Sequence, residues 1–478
     1  MGIEKLTKIV ITIGPSCDSP KMIKTLIDLG VDIFRFNFKH NTIEWHDEKI
    51  KRVNQVAKQI KTPIGTLIDL QGPEIRINMP YEKISIKKNE LILFGEEVFA
   101  KKEKGFSISH SQIIPNLKIG QKVFADDGRF IFIIENSGNK TYLRAKTSGI
   151  LKNHKNLNIP GANFPFPVLV DRDFEGLRLA QRYEIDYVAL SFVRSATDIK
   201  IAKKEMKKYR VNAKIIAKIE TKKALDNLDG IIEESDGVMV ARGDLGVEMP
   251  IERVPYYQKQ IIQKCIRKGI PVITATQMLQ SMVENPMPTR AEVSDVANAA
   301  YDYTDAVMLS AETSVGKYPK EVVEIMKKTL VFNENKNFID SRRRFDFKLK
   351  DKEAVLCDTA YGLYIEEQNQ KNNVSGFLVF THTGRTARLI SRYHPLVPIF
   401  AFTPNQSVSE SLNINFGVFS FPYELISKKG EVVKIDIQKA VKFLLKRNWI
   451  KKGKTLIVLH GDYWAVEGGT STIKFLTV

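Results

Sequence analysis

The sequence predicts an α/β fold: a (β/α)8 TIM barrel with an inserted small all-β lid domain and a C-terminal α/β domain. Eight strand-like apolar runs recur in the first two thirds of the chain, and most of them precede a helical segment. Near-continuous apolar strands that alternate with helices are typical of a parallel sheet, and eight such units close a barrel. The spacing is interrupted once, and a second α/β pattern follows a charged stretch.

The eight runs share an apolar body, and nearly all of them become polar at their C-terminal ends. In chain order they are Ile9–Ile13, Val31–Phe38, Ile64–Leu70, Tyr187–Phe192, Ala213–Glu220, Gly237–Asp244, Pro271–Gln277 and Ala306–Glu312. Active sites of such barrels are built at that face because the strand ends converge there. We therefore expect the functional residues at one mouth of the barrel.

The segment between the third and fourth runs is longer than a hundred residues and has a different pattern. Short alternating runs and turn-forming residues together predict a small β domain. The runs are Lys83–Lys87, Glu90–Phe94 and Lys122–Phe124, and the turns are Asp126–Gly128 and Ser137–Asn139. A domain inserted at the mouth of a barrel is placed to act as a lid that excludes water.

A helical pattern at Lys320–Asn333 and a charged, exposed linker at Asp340–Asp351 follow the last barrel run. The second α/β pattern has a helix at Glu353–Asn369 and strands at Val374–Phe380, Val397–Phe402, Val418–Phe421, Thr455–His460 and Thr472–Val478. The predicted domains are 1–71 and 167–338 for the barrel, 72–166 for the lid, and 339–478 for the C-terminal domain. After its first strand, Thr381–Thr386 opens a helix, which fits either an anion site or an ordinary N-cap.

Composition excludes several function classes. The net charge of +18 comes from lysines dispersed along helical stretches without interleaved aromatics, so we expect clefts for small polyanions and no nucleic-acid partner. Three distant cysteines, Cys17, Cys265 and Cys357, give neither a disulfide framework nor a zinc site. No apolar stretch reaches the roughly 18 residues of a membrane span, and no signal peptide is evident. We expect a cytoplasmic protein that binds no membrane.

Two successive strand ends carry the most informative charges. Lys218 and Glu220 are two residues apart and point to the same side of one strand, while Arg242 and Asp244 flank Gly243 at the end of the next. Two carboxylates beside a lysine can hold a divalent cation next to a cationic electrophile, and oxygen ligands suit Mg2+ or Mn2+. The alternative is a pair of surface ion pairs that cap a sheet.

Eight motifs in a fixed order, each at a strand end or a lid hinge, resemble the pyruvate kinase family over essentially the whole chain. They are Thr7–Pro15, Phe34–Phe38, Gly72–Arg76, Asn158–Gly161, Ile216–Glu220, Met239–Glu248, Ala275–Leu279 and Asp305–Thr313. The resemblance implies phosphoryl transfer from phosphoenolpyruvate to ADP, giving pyruvate and ATP as the last step of glycolysis. It also implies a homotetramer.

The resemblance assigns roles at the barrel mouth. Glu220 and Asp244 would bind Mg2+ or Mn2+, Lys218 would face the moving phosphoryl group and the enolate oxygen, and Arg35 would clamp the phosphoryl group. Backbone N–H groups at a helix start would receive the substrate carboxylate. That stretch comprises Ala241, Arg242, Gly243 and Asp244.

The same resemblance implies a proton relay and a nucleotide site. Thr276 would hydrogen-bond the carboxylate and, with Ser310 and Glu312, relay a proton to the enolate carbon, with water as the immediate donor. The implied nucleotide contacts are Asn37, His40, Arg76 and Lys155.

The sequence departs from the family at the monovalent-cation site. K+-requiring members carry Asn-x-Ser and Asp-Thr, whereas this chain has Asn37 with Lys39 and Asp69 with Leu70. We hypothesise that the Lys39 ammonium occupies the K+ site, paired with Asp69 and Glu74, so that K+ is not required. The alternative is that Lys39 points to solvent and K+ binds through fewer oxygens.

The C-terminal domain resembles the family's effector domain, which makes allosteric control an expectation. The effector loop comprises Thr381, His382, Thr383, Gly384, Arg385 and Thr386. In the partner loop at His460–Thr470, Asp462 and Glu467 would repel a second phosphate, so a monophosphate effector, either a sugar phosphate or a nucleotide monophosphate, is at least as compatible as a bisphosphate. Loss of regulation is the alternative. Two other readings stay open: another Mg2+-dependent barrel that handles an enolate or phosphoenolpyruvate, such as a mutase or aldol lyase, and a basic nucleic-acid-binding or scaffold protein.

Overall fold

The computed structural model describes residues 5–101, 103–137, 140–161, 166–334, 336, 345, 347–370, 374–423, 436–461 and 469–478. The chain opens with β1 (Lys8–Thr12), α1 (Pro20–Leu29), β2 (Ile33–Asn37), α2 (Ile43–Ile60) and β3 (Gly65–Asp69). Helix α1 shows why these boundaries arise. The Ser19 side chain accepts the Met22 N–H, Pro20 fixes the first turn, and Gly30 ends the helix with a φ of 102°.

The insert after β3 consists mainly of short strands. They are β4 (Ile77–Asn78), β5 (Lys83–Ile86), β6 (Leu91–Phe94), α3 (Glu97–Lys101, a short helix), β7 (Gly105–Ile108), β8 (Lys122–Ala125), β9 (Phe130–Ser137), β10 (Lys140–Ala145), β11 (Gly149–Lys152) and β12 (Leu157–Asn158). Seven strands form one sheet in the order β12-β8-β9-β10-β6-β7-β4, and β11 pairs with β5. The predicted runs at 83–87, 90–94 and 122–124 each overlap one strand, and the insert has its own apolar core.

The chain then returns to the barrel. In order come α4 (Asp171–Arg182), β13 (Tyr187–Leu190), α5 (Ala196–Lys208), β14 (Lys214–Ile219), α6 (Lys222–Asp226), α7 (Leu228–Glu234), β15 (Gly237–Ala241), α8 (Arg242–Glu248), α9 (Val254–Lys268), β16 (Val272–Ala275), α10 (Arg290–Tyr301), β17 (Ala306–Leu309), α11 (Ala311–Ser314) and α12 (Pro319–Glu334). Each predicted run overlaps one strand of a closed parallel barrel in the order β1-β17-β16-β15-β14-β13-β3-β2. The predicted fold class is therefore confirmed.

The C-terminal α/β domain follows a connection of which residues 337–344 lie outside the described residues, as does half of the predicted linker at 340–351. Its elements are α13 (Lys352–Asn369), β18 (Val374–Phe380), α14 (Arg385–Ser391), β19 (Ile399–Thr403), α15 (Gln406–Glu410), β20 (Val418–Pro422), α16 (Ile437–Lys446), β21 (Thr455–Gly461) and β22 (Thr470–Thr477). They build a five-stranded sheet in the order β20-β19-β18-β21-β22, with an apolar core on each face. None of the helices in the described ranges combines the length and apolar character needed to cross a membrane.

The C-terminal domain closes the floor of the barrel. Ile414 packs with the side chains that fill the barrel interior. The Lys8 ammonium donates to the Val418 carbonyl at 2.6 Å, and the Gly417 N–H donates to the Leu6 carbonyl at 2.9 Å. The floor is thus packed and hydrogen-bonded, which leaves the opposite mouth, at the C-terminal ends of the strands, free for a ligand. The domain boundaries at 71/72, 166/167 and 338/339 stay predictions.

Candidate active site

A cavity of about 390 Å³ lies at the C-terminal mouth of the barrel, between the strand ends and the lid. Most of the predicted site residues line it: Arg35, Asn37, Lys39, His40, Asp69, Arg76, Lys155, Lys218, Ala241, Asp244, Thr276 and Ser310. Five others lie outside its lining: Leu70, Glu220, Arg242, Gly243 and Glu312. Five further residues line the cavity without having been predicted from the sequence. Their place in the lining depends on where the lid lies and on which strand residues face the barrel interior. They are Asp127, His154, Asn156, Met239 and Met308.

Asp69 is the centre of a buried ion cluster, which we define as Arg35, Asp69, Lys218 and Glu220. Its Oδ2 accepts from Arg35 Nε at 2.7 Å, and its Oδ1 lies 3.1 Å from Lys218 Nζ. Burial alone would raise the pKa of Asp69, but Lys218 and Arg35 outweigh it and lower the pKa to about 2. The adjacency follows from the barrel, since β2 and β3 pair in register and place Asn37 opposite Asp69.

Lys218 is held by three oxygens. Its ammonium lies 2.8 Å from Ser191 Oγ and 2.8 Å from Glu220 Oε1, besides its contact with Asp69. Burial opposes the charge, yet Asp69, Glu220 and Asp244 outweigh burial and raise the pKa of Lys218. The side chain is therefore a fixed cation at the cavity wall. Ser191, at the end of the fourth predicted run, is a partner that the sequence placed there without giving it a role.

Glu220 and Asp244 offer oxygen ligands for a divalent cation. Glu220 is fully buried, and its Oε2 accepts the Phe192 N–H at 2.7 Å. Its Oε1 forms the 2.8 Å ion pair with the Lys218 ammonium and accepts no other contact from the described residues. No group of three or more His, Cys, Asp or Glu side chains suited to a metal occurs in the described part of the chain. Two carboxylates fit Mg2+, which takes one or two from the protein and the rest from substrate and water.

A strained turn adjoins the start of α8. Thr276 and Gln277 both have positive φ, at 69° and 53°, a conformation that costs energy outside glycine. The Thr276 hydroxyl accepts the Gly243 N–H at 2.8 Å. The Arg242 guanidinium is turned away, because it donates to the Thr276 carbonyl and Asp295, each at 2.7 Å. Arg242 can therefore contact a ligand in the cavity with its backbone only, and its side chain supports the turn.

Glu312 does not face the cavity. It is fully buried, and its Oε2 accepts the Ser310 N–H at 2.7 Å while its Oε1 accepts the Leu279 N–H at 3.3 Å. Both oxygens thus hold loops after β17 and β16. Of the two residues expected in the relay besides Thr276, the structure brings Ser310 to the cavity and places Glu312 behind it.

The expected nucleotide contacts lie on the rim. Arg76 donates to the His154 carbonyl at 3.0 Å and pairs with Glu74 at 2.7 Å. Lys155, on the lid, pairs with Asp126 at 2.7 Å. Burial, with Arg76 nearby, lowers the pKa of His40, and the Asn37 Oδ1 accepts the Lys39 N–H at 3.2 Å.

The structure shows the surroundings of Lys39, while the absence of a K+ requirement stays a prediction. The Lys39 side chain is only 15% exposed, lies 3.8 Å from Glu74 Oε1, and sits 4.9 Å from the centroid of the Phe192 ring. Within the described residues no ion pair joins it to Asp69, whose oxygens are taken by Arg35 and Lys218. The expected pairing with Asp69 was therefore wrong, and the pairing with Glu74 is present.

The Leu70 side chain is buried and offers no oxygen ligand, and a backbone role for Leu70 in the cation site stays a prediction. Its side chain packs against α4, where a Cβ added to Gly176 would lie 3.0 Å from Leu70 Cδ2. It is part of the core between strands and helices. Its backbone carbonyl accepts a hydrogen bond from the Ser191 hydroxyl at 2.7 Å, next to Lys218.

The residue that holds the lid hinge is not indicated by any sequence pattern. Asp173, at the start of α4, accepts the N–H groups of Gln71 at 2.8 Å, Gly72 at 3.2 Å and Val170 at 3.0 Å. It thereby ties the segment that leaves the barrel to the segment that returns from the lid. An acidic residue in the first turn of a helix resembles an ordinary cap, so no separate signal distinguished it.

The effector loop precedes α14, with Gly384 at a φ of 79°. Thr386 donates to Glu353 at 2.6 Å and contacts the Thr470 hydroxyl at 3.0 Å, and Arg385 pairs with Asp351 at 2.6 Å. These two side chains are thus engaged within the domain. Asp462 and Glu467 of the partner loop lie outside the described residues.

Comparisons with known proteins agree with this geometry. A model of the pyruvate kinase barrel domain matches residues 4–323, and one of the pyruvate kinase alpha/beta domain matches residues 365–476. Pyruvate kinase of Staphylococcus aureus (strain MRSA252) is 37% identical over 474 residues, which cover 98% of this chain and 80% of the relative. That of Bacillus licheniformis is 36% identical over 469 residues, covering 97% and 77%.

A solved structure is similar over nearly the whole length. The crystal structure of a pyruvate kinase from Cryptosporidium parvum has a TM-score of 0.89 and 31% sequence identity, and the match covers 99% of this chain and 96% of that one. The matching domains, the full-length relatives and the shared fold all point to one group of phosphotransferases. The chain therefore belongs to the pyruvate kinase family.

Proposed function

We propose that the chain moves the phosphoryl group of phosphoenolpyruvate to ADP, giving pyruvate and ATP, in the cavity beneath the lid. The buried ion cluster carries this proposal. It places two fixed cations, Arg35 and Lys218, at a wall that a phosphoryl group can reach, with Glu220 beside them. A folded barrel without this role has little reason to bury four charges at one mouth, since burying ions costs more than packing apolar side chains.

The two cations have different tasks. Arg35 presents a planar fork suited to two phosphoryl oxygens, although in this state Asp69 and Thr12 occupy its nitrogens. Lys218 faces the oxygen on which negative charge develops as the phosphoryl group leaves. At an effective dielectric constant of about 20, opposite charges about 4 Å apart attract by about 4 kcal/mol. Aimed at the transition state, that attraction is worth several powers of ten in rate.

Glu220 and Asp244 are the residues that would hold Mg2+ or Mn2+. When bound, the ion neutralises negative charge on the substrate's carboxylate and phosphoryl oxygens. The buried Glu220 carboxylate next to Lys218 and the place of Asp244 in the cavity wall support this assignment.

The start of α8 would receive the substrate carboxylate. Backbone N–H groups from Ala241 to Asp244 lie at a helix start, where partial positive charge favours an anion. The Gly243 N–H donates to the Thr276 hydroxyl in the structure. When substrate binds, the hydroxyl would instead donate to the substrate carboxylate. Ser310 and a water would then pass a proton to the enolate carbon, with Glu312 holding Ser310 in position.

ADP would bind at the rim, between His40 on the barrel and Arg76 and Lys155 of the lid segment. The test is an assay of pyruvate formation from phosphoenolpyruvate, ADP and Mg2+. We expect pyruvate only when ADP and the metal are both present. A mutase or aldol lyase would convert substrate without ADP, and salt-sensitive DNA binding without kinase activity would favour a scaffold; either result contradicts the proposal.

The reaction is proposed to proceed without K+. Lys39 brings a tethered ammonium to the site, where Glu74 and the Phe192 ring hold it. Such a cation supplies the charge of a bound ion and repels K+ at short range. Its low exposure argues against the alternative in which Lys39 points to solvent.

Rates with K+ replaced by Na+ or tetramethylammonium test this part separately. We expect the wild-type rate to change less than about twofold and Lys39→Ser to become K+-dependent, because the hydroxyl restores an oxygen ligand. Lys51→Ser, an exposed change on α2, is the control and should leave the cation response unchanged. A many-fold loss without K+, or an unchanged K+ response in Lys39→Ser, would contradict K+ independence and leave the kinase assignment intact.

Control by a sugar phosphate or nucleotide monophosphate at Thr381–Thr386, a homotetramer and a cytoplasmic location also stay predictions. Arg385 and Thr386 are engaged within the domain, so an effector at this loop would have to bind mainly through its other four residues.

A further inference from the structure

A second large cavity, of about 730 Å³, lies far from the barrel mouth, where the barrel helices meet the C-terminal domain. We name it the junction cavity. Its walls are the ends of α7 and α9, the connector at 348–351 and helix α14 with the residue after it. The volume is in the range of sites that hold whole small molecules, roughly 300–1,000 Å³.

The lining of the junction cavity is strongly basic. Eight Lys or Arg side chains face three acids, Asp229, Glu233 and Asp351. Each acid already has a basic partner, since Asp229 pairs with Lys264, Glu233 with Lys268 and Asp351 with Arg385. Five cations have no ion pair with any described residue: Arg267, Lys348, Lys350, Arg388 and Arg392. The cavity therefore carries a surplus of positive charge that its own acids do not neutralise.

Arg392 shows that this surplus reaches into the protein. It is only 5% exposed, and its Nε is buried without a hydrogen-bond partner among the described residues. Its Nη2 donates to the Tyr393 hydroxyl at 2.7 Å, which in turn donates to Asp358 at 2.9 Å. A buried guanidinium with a free donor is costly unless an acceptor completes its shell.

Two features offset part of that cost. The Phe347 and Tyr393 rings each lie 4.9 Å from the Arg392 guanidinium. The free energy that a cation–π contact contributes is smaller than the free energy that it costs to remove the ion from water. The end of α9, capped by Gly269, brings partial negative charge that suits Arg267 and Lys268. Neither feature accounts for Arg388, Lys348 and Lys350, which come from other elements.

Arg388 connects the cavity to the C-terminal domain's first loop. Its guanidinium donates to the Thr383 carbonyl at 3.2 Å. Burial lowers the pKa of Arg388, although Asp236 acts in the other direction. Of the effector loop, only Arg385 belongs to the lining, and Thr381–Gly384 do not, so the junction cavity adjoins the loop that resembles the effector site and lies outside most of it.

From these observations we propose that the junction cavity binds a small phosphorylated molecule with at least two negative charges, held by Arg267, Lys350, Arg388 and Arg392. Phosphate oxygens satisfy guanidinium donors in pairs, and a compact dianion neutralises several cations at once. The ligand would touch barrel, connector and C-terminal domain together. This inference does not depend on the reaction at the barrel mouth.

Calorimetric titration of the full chain with inorganic pyrophosphate tests the proposal. The variant is Arg267→Gln with Lys350→Gln, because both side chains are exposed and removing them should not disturb folding, which circular dichroism checks. A matched control, Lys58→Gln with Lys204→Gln, removes the same charge from exposed helix faces elsewhere. We expect the cavity variant to weaken one binding event at least tenfold and the control to change it less than twofold. Arg388→Gln should also weaken it.

Equal weakening in the cavity variant and the control would reduce the effect to net charge and overturn the proposal. Unchanged binding in the cavity variant would overturn it too. So would a binding event abolished by Thr383→Val and untouched by Arg267→Gln with Lys350→Gln, since the anion would then occupy the effector loop.

Discussion

The deep half and the rim of the active-site cavity are built differently. In the deep half, Arg35, Asp69 and Lys218 are buried, and each contacts at least two polar partners on barrel strands or directly after their ends. On the rim, the Arg76 and Lys155 side chains are 32% and 41% exposed, and Lys155 is paired within the lid. The barrel core sets the deep half before a ligand binds, whereas the rim depends on where the lid lies.

The largest expected effect comes from removing the cation at the centre of the deep half. Lys218→Met keeps the length of the side chain and removes its charge. We expect kcat to fall about a thousandfold, at the upper end of what one charge-stabilising group contributes, because the leaving oxygen loses its nearest fixed cation. Steady-state kinetics with phosphoenolpyruvate and ADP measure it.

Lys214→Met is the matched control, on the same strand but at its far end, with a half-exposed side chain. It should change kcat less than twofold. If both variants lost activity equally, β14 would be disturbed as a whole, and the contrast between deep half and rim would have no catalytic meaning.

The second prediction concerns acid and the buried ion cluster. The pKa of Asp69 is lowered to about 2 in the folded chain, below its ordinary value of 3.8. A lowered acid pKa stabilises the fold above the unfolded value, and this stabilisation is lost as the pH falls through the folded value. Asp69 should thus contribute about 2 kcal/mol at neutral pH that disappears between about pH 4 and pH 2.

Urea unfolding of wild type and Asp69→Asn at several pH values measures this. We expect the difference in free energy of unfolding to shrink by about 2 kcal/mol between pH 4 and pH 2. Asp28→Asn, which removes an exposed partner of Lys24, should show almost no such change. A difference that stays constant with pH would mean that Asp69 is not paired as the structure has it.

The deep half could largely be predicted from the sequence. The eight strands, the polar strand ends and most residues of the deep half follow from apolar periodicity and motif order, because a parallel barrel brings every strand end to one mouth. Asp69 and Lys218 could be placed there from spacing alone.

Pairings among several charges at that mouth could not be predicted. Lys39 was expected to reach Asp69 as well as Glu74, but Arg35 and Lys218 occupy Asp69. Which cation pairs with the Asp69 carboxylate depends on small differences in side-chain position, which sequence spacing does not define. The role of Asp173 could not be predicted for a similar reason. Its three contacts with backbone N–H groups join segments about a hundred residues apart.

The smallest effect is expected on the rim. Arg76→Gln removes a cation that borders the proposed ADP site while leaving the deep half intact. We expect the KM for ADP to rise about tenfold, equivalent to about 1.4 kcal/mol, with kcat and the KM for phosphoenolpyruvate nearly unchanged. A partly exposed charge contributes no more than this because water and salt screen it.

Arg144→Gln provides the control, because Arg144 lies on the lid and is bound to Glu135 away from the cavity. It should leave both KM values unchanged. A large fall in kcat for Arg76→Gln would place this residue with the deep half, since a group that acts mainly in the transition state lowers kcat instead of raising KM. The rim would then be set as firmly as the strand ends, through the pairing of Arg76 with Glu74 and, beyond it, Lys39.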